Sequence, residues 1–104
     1  MIIRAWRGYA SAEGAEAYRR HFETKVIPTL KDIPGYRGAQ LLRRTGPDGI
    51  EVLVQTRWSS MEAVRAFAGA DPNRAVVEPE ARAVLARFDE TVVHYELVMQ
   101  SPDN

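Results

Sequence analysis

Two β-rich runs, Tyr36–Arg44 and Ile50–Trp58, flank Thr45-Gly46-Pro47-Asp48-Gly49, and together they constrain this chain more than any other stretch. Turn residues between β-branched and aromatic runs specify an antiparallel hairpin. Centring the turn on Pro47 predicts Tyr36 opposite Trp58, Leu41 opposite Leu53, Leu42 opposite Val52 and Arg43 opposite Glu51. Each such pair is worth roughly 0.2–1 kcal/mol. The same register sets Arg37 against Arg57, a like-charge pair that loses stability unless an anion lies between them or both side chains splay into solvent. It also predicts that Leu42, Val52, Val54 and Trp58 share the covered face. Arg37, Ala39, Leu41, Arg43, Glu51, Leu53, Gln55 and Arg57 then share the other.

Around this hairpin the remaining segments fall in a simple order. Ile2–Tyr9 reads as a strand of unresolved parity. Ser11 is a good N-cap, and Ala15, Tyr18, Phe22, Val26, Leu30 and Ile33 form one helical apolar stripe. Pro28 lies inside that stripe and predicts a kink or break near Thr24–Pro28. Ile33-Pro34-Gly35 ends the segment. After the hairpin, Ser59 and Glu62 have capping-box spacing, and Met61, Val64, Phe67 and Ala68 predict a short helix stopping at Gly69. Ala70–Arg74 reads as a loop. Pro79 opens another helical stripe through Ala81, Val84, Leu85 and Phe88, and Thr91–Met99 reads as the last strand. Gln100–Asn104 is a polar tail expected to fray.

Strand, helix, strand, strand, helices, strand is a split βαβ order. It predicts an α+β, ferredoxin-like βαββαβ fold, a four-stranded antiparallel sheet with helices on one face, occupying residues 1–104 as one domain. A chain of 104 residues buries only a modest core, so association would help it. The uncovered sheet face is half apolar and half charged, which suits a polar subunit interface, and a symmetric homodimer through that face is expected.

Composition removes several classes of function. With 14 basic and 14 acidic residues the formal charge is zero, which suggests neither a nucleic-acid nor an anionic membrane partner. The absence of cysteine excludes disulfides and thiol chemistry. Arg4 and Arg7 break the opening apolar run, and no later segment approaches the ~18–20 apolar residues of a membrane span, so a cytoplasmic protein is expected.

Trp6-Arg7-Gly8, Ile33-Pro34-Gly35-Tyr36-Arg37-Gly38, Thr56–Val64 with Phe67, and Pro79-Glu80-Ala81-Arg82 through Phe88 to His94-Tyr95-Glu96 give the chain its resemblance to a known group. It resembles the antibiotic biosynthesis monooxygenase-like family of the dimeric α/β-barrel superfamily over nearly its full length. The resemblance implies one of three things: a cofactor-independent monooxygenase of quinol-like polyketides, a haem-degrading enzyme, or a small dimer without assigned activity. The haem-degrading branch uses an Asn on the first strand, a Trp after the third strand and an iron-ligating His beyond it. Here those places fall at Arg7, Phe67 and about Val77, and no histidine lies between Trp58 and Phe88, which argues against haem degradation. The quinol branch also uses an Asn and a Trp. Trp58 matches the latter, whereas the asparagines are Asn73 and Asn104.

The candidate catalytic residues are therefore His94, Trp58 and Arg7, and the candidate substrate-binding residues are Tyr36, Tyr18, Phe22, Phe67, Tyr95 and Arg57. Aromatic side chains suit a flat apolar ligand between helices and sheet, although a small core uses the same residues. Arg7, Arg37 and Arg57 could hold a phenolate oxygen, or pair with Glu51 and Glu96. His94 could act as acid or base, or be a hydrogen-bonded sheet histidine. His21, beside Phe22, is expected at the solvent edge. Two histidines fall short of the usual three-ligand catalytic zinc site unless a carboxylate joins them, so no metal and no cofactor are expected. The leading expectation is a cofactor-independent monooxygenase acting on a planar quinol or polyketide-type ligand. The alternative is a non-catalytic ligand-binding or structural dimer.

Overall fold

The computed structural model describes residues 1–102. The chain runs β1 (Ile2–Ala10), α1 (Ala12–His21), a π-helical turn (Phe22–Val26), α2 (Ile27–Leu30), β2 (Tyr36–Gly46) and β3 (Gly49–Trp58). It continues with α3 (Met61–Ala68), α4 (Pro79–Val84), β4 (Arg87–Phe88) and β5 (Val93–Glu96). The sheet order is β2-β3-β1-β4, with β5 also on β1, and every pairing is antiparallel. The helices cover one face, giving the expected α+β, ferredoxin-like fold, but the sheet has five strands rather than the four expected, because the last edge is divided into β4 beside Gly8 and Tyr9 and β5 beside Ile2–Ala5. Among the described residues no helix is long and apolar enough to cross a membrane.

Pro28 acts as its chemistry requires. It cannot donate a backbone bond, and its ring crowds the carbonyl four residues earlier, so the regular ladder cannot pass through it. The chain widens into a π turn in which the Ile27 N–H donates to the Phe22 carbonyl. Thr24 and Thr29 hydroxyls donate to the Arg20 and Lys25 carbonyls, each at 2.7 Å. The helix therefore stays continuous and keeps Tyr18, Phe22 and Leu30 buried on one side. Ser11 caps α1 by accepting from the Gly14 N–H at 3.1 Å.

The hairpin register differs from the predicted one by a single residue. Gly46 pairs with Gly49, so only Pro47 and Asp48 turn the chain, and Leu41 falls opposite Val54 and Leu42 opposite Leu53. A bulge at Arg37 then restores Tyr36 opposite Trp58. Because side chains alternate faces, the slip exchanges the two leucines. Leu41 and Ala39 pack on the core beneath the helices, while Leu42 lies 42% exposed on the open face. The predicted Arg37–Arg57 pair is also gone. Arg57 instead donates to the Arg37 carbonyl at 3.3 Å, and its guanidinium occupies the space beside Gly38, whose φ is +130°. A side chain at position 38 would collide with it.

Three other boundaries move. Ser60, not Ser59, caps α3, accepting from the Ala63 N–H at 3.2 Å, while the Ser59 N–H donates to the Gly35 carbonyl at 2.8 Å. Phe88 is a strand residue rather than the end of a helical stripe. Bonds from Ala86 N–H to Tyr9 O and from Asp89 N–H to Arg7 O draw β4 onto β1. The predicted Thr91–Met99 strand is confined to Val93–Glu96, and Val98 and Met99 lie in solvent.

The parity of β1 is now fixed by pairing. Arg4, Trp6, Gly8 and Ala10 sit opposite the buried Thr56, Val54, Val52 and Ile50 and face the helices. Ile3, Ala5, Arg7 and Tyr9 face the open side.

Candidate functional site

The helical layer and the sheet line an open-mouthed cavity of about 290 Å³, at the lower edge of the ~300–1,000 Å³ usual for small-molecule sites. The long helical segment contributes Tyr18, His21, Phe22 and Leu30. Sheet strands contribute Arg4, Trp6, Val54 and Thr56, α3 contributes Phe67, and the stretch before α4 contributes Val77 and Glu78. Its walls are mainly aromatic and aliphatic, with polar groups at a few points.

Arg4 is the most unusual of these. It is only 6% exposed, and its guanidinium donates to the Pro72 carbonyl at 2.6 Å and the Arg74 carbonyl at 2.9 Å. It also lies 3.0 Å from His94 Nε2 and 5.6 Å from the centroid of the Phe67 ring. No carboxylate forms an ion pair with it among the described residues. Burial lowers its pKa from the usual arginine value. Sequence reasoning passed over Arg4 because the parity of β1 was open. Its shared parity with Trp6 was the available signal.

His94 pairs with Arg4 across β5 and β1 and lies behind the cavity wall. A guanidinium can only donate, so His94 Nε2 is an unprotonated acceptor. Burial and then the Arg4 charge lower its pKa. A folded-state pKa below the unfolded value means the unfolded chain takes up the proton first. The stability this residue contributes should be complete above about pH 6.5 and decline as the pH falls below that value. A pH series of urea midpoints should show the decline in the wild type, and His94→Gln should flatten it. Equal slopes in both proteins would refute the assignment.

Trp58 is fully buried and does not reach the cavity. Its Nε1–H donates to Thr56 Oγ1 at 2.8 Å, and its ring stacks on Phe67 at 5.0 Å and meets the edge of Tyr36 at 5.7 Å. It thus backs the wall that Phe67 presents. Tyr36 is half-buried beside it, outside the cavity, and burial raises its pKa. Of the candidate residues, Tyr18, Phe22 and Phe67 come together in the cavity. Arg7, Arg57 and Tyr95 lie on the opposite face of the sheet. There Arg7 pairs with Asp89 at 3.2 Å, a bond that raises its pKa, and Glu51 pairs with Arg44 rather than with the arginines anticipated for it.

His21 also differs from its expected solvent-edge position. It lines the cavity, and its Nε2 is buried without a hydrogen-bond partner among the described residues. Its ring is 6.0 Å from that of Tyr18. One ligand atom from each of His21, Glu78 and Glu80 lies within 4.8 Å of the others, so a carboxylate pair stands beside the unpartnered imidazole. Burial, followed by the Glu78 charge, raises the pKa of Tyr18 far above the ordinary tyrosine value and keeps its hydroxyl protonated. The cavity therefore has a cationic region at Arg4, beside Phe67, and an anionic one at Glu78, beside Tyr18.

Comparison with solved structures finds this architecture in proteins of low sequence identity. The haem-degrader MhuD from Mycobacterium tuberculosis, with two haems in its active site, aligns with a TM-score of 0.66 at 21% identity, covering 98% of this chain and 100% of that one. A monooxygenase from the gene ActVA-Orf6 of Streptomyces coelicolor, in complex with nanaomycin D, aligns with a TM-score of 0.65 at 15% identity, covering 99% and 92%. Sequence comparison with curated proteins finds no match. The family model for antibiotic biosynthesis monooxygenases matches residues 1–79, about three quarters of the sequence. On that match, with the fold in agreement, the chain belongs to the antibiotic biosynthesis monooxygenase family.

Proposed function

We propose that this protein is a homodimeric, cytoplasmic monooxygenase that acts on a planar quinol or polyketide-type aromatic compound, using dioxygen as co-substrate. The observation that carries the reading is the aromatic-walled cavity with an unpartnered imidazole, His21, on its lining. Tyr18, Phe22 and Phe67 provide flat apolar surfaces for a fused-ring ligand. His21 Nε2 is the candidate base, taking a proton from the ring hydroxyl or the activated ring carbon. The resulting electron-rich anion reduces dioxygen. One oxygen atom enters the ring as a carbonyl, and the other leaves as water with two substrate hydrogens, both from a ring methylene or one from the ring carbon and one from the hydroxyl.

Haem fits the cavity poorly. A haem iron takes an axial imidazole, thiolate, thioether or tyrosinate, and the Tyr18 hydroxyl on this lining stays protonated. The one imidazole on this lining, His21, has the Glu78 and Glu80 carboxylates within 4.8 Å of its ligand atom. That donor set suits a small divalent ion better than a macrocycle.

Oxygen uptake across a panel of hydroquinones and anthrone-type compounds tests the reading. The wild type should consume oxygen with at least one compound, and His21→Gln should lose about 10²-fold or more, the usual contribution of a positioned base. His94→Gln, which alters a group behind the wall, should retain most of the rate. Ligand binding without uptake would favour the non-catalytic alternative. Neither binding nor uptake from a folded protein would refute the cavity as a site.

A further inference from the structure

The geometry points to a specific substrate class: aromatic compounds bearing one ionised oxygen, a phenolate, enolate or carboxylate, seated on Arg4 and Thr56. This deepens the proposed function and rests on its placing of the ligand in the cavity. Arg7, Arg19, Arg20 and Arg44 each have a carboxylate partner on the surface. Arg4 is buried, yet the groups around it are two backbone carbonyls, a neutral imidazole and an aromatic ring. These dipoles take up part of its hydrogen-bonding capacity without cancelling its charge, and a buried charge normally has an ionic partner.

Donor accounting gives the same answer. A guanidinium has five N–H donors, and three are directed at Pro72 O, Arg74 O and His94 Nε2. Two remain. Thr56 sits directly opposite Arg4 in the sheet and also lines the cavity. Its oxygen accepts from Trp58, which leaves its hydroxyl hydrogen for another acceptor. An anionic oxygen between Arg4 and Thr56 would take up these donors and supply the missing charge. The three bonds already made hold the guanidinium in place, so little ordering cost falls on binding.

The same cavity limits the ligand to one negative charge. Glu78 lines it near Tyr18, and no arginine or lysine pairs with Glu78 among the described residues. A second ionised group extending in that direction would meet a like charge. A neutral hydroxyl there could donate to Glu78 or to His21 Nε2.

Titration calorimetry with naphthoate, its neutral amide and naphthalene dicarboxylate tests this class directly. The wild type should bind naphthoate about tenfold or more tighter than the amide, the expected value of hydrogen bonds to a charged group. The dicarboxylate should bind more weakly than naphthoate. Arg4→Met should abolish the preference while keeping the amide's affinity, which also shows that the variant is folded. Arg4→Lys should retain part of the preference, and Thr56→Val should reduce it. Equal binding of naphthoate and amide by the wild type, or a preference that survives in Arg4→Met, would overturn the Arg4 seat and leave the cavity reading intact. Failure of all three compounds to bind would overturn both.

Discussion

Trp58→Ala should lower the unfolding free energy by about 3–5 kcal/mol, the usual cost of removing a large aromatic side chain from a core. Trp58 has no solvent exposure, and it joins Leu30 and Val64 in a second core cluster at the end of the sheet. Its indole also holds Phe67 from behind and donates to Thr56. The alanine variant leaves a void that α3 can only partly fill. The Thr56 hydroxyl would lose its buried donor at a further cost of about 1 kcal/mol. Because total stability is about 5–15 kcal/mol for a domain of this kind, the change should be plain in a urea titration. Trp58→Phe keeps most of the volume and removes the N–H, so it should fall well short of that loss. A Trp58→Ala midpoint close to wild type would mean that α3 does not pack as described. Should Trp58→Ala remain folded, it should also bind aromatic ligands weakly, because Phe67 would lose its support.

Much of this arrangement can be read from the residues because its causes are local. Ser11 precedes a helical stripe, Pro28 interrupts a backbone ladder, and Gly46 to Gly49 turns two apolar runs back on each other. Each effect depends on the chemistry of a few neighbouring residues. The hairpin faces were not legible on the same basis. A turn closing on two residues and a turn centred on Pro47 differ by one position, and the bulge at Arg37 hides the difference at the Tyr36–Trp58 end. Only burial against the helices shows that Leu41, rather than Leu42, belongs inside.

The candidate site divides along the same line. Tyr18, Phe22 and Phe67 follow from helical periodicity and do meet in the cavity. Arg4 depends on the parity of β1, and that parity is set by pairing with β3, some fifty residues away in the chain. An arginine at the fourth position therefore looked like an interruption in an apolar strand. In the fold it is a buried cation held by the loop at Pro72 and Arg74. His21 is similar: adjacency to Phe22 suggested an edge, whereas the approach of Glu78 closes that edge into a wall.

The proposed homodimer uses the open face, where Leu42 and Leu53 pair and Ile3 and Ala5 pair with Tyr95 and Val93. Leu42, Val93 and Tyr95 are 42%, 52% and 57% exposed, which places three large apolar side chains in solvent on one face. Arg7, Arg44, Glu51 and Arg57 share that face and give it the mixed character of a polar interface. The wild type should scatter light as a dimer, and a Leu42→Glu, Leu53→Glu variant as a folded monomer. Each substitution enters twice in a symmetric contact, and each unpaired carboxylate costs several kcal/mol to bury, so dissociation should rise by about 10³-fold or more. Leu41→Glu provides the contrast. Leu41 packs beneath the helices, so a carboxylate there should unfold the chain rather than separate two intact copies. A dimer that persists in the Leu42, Leu53 variant would exclude the open face as its interface. A Leu41→Glu variant that remains folded but becomes monomeric would restore the register centred on Pro47.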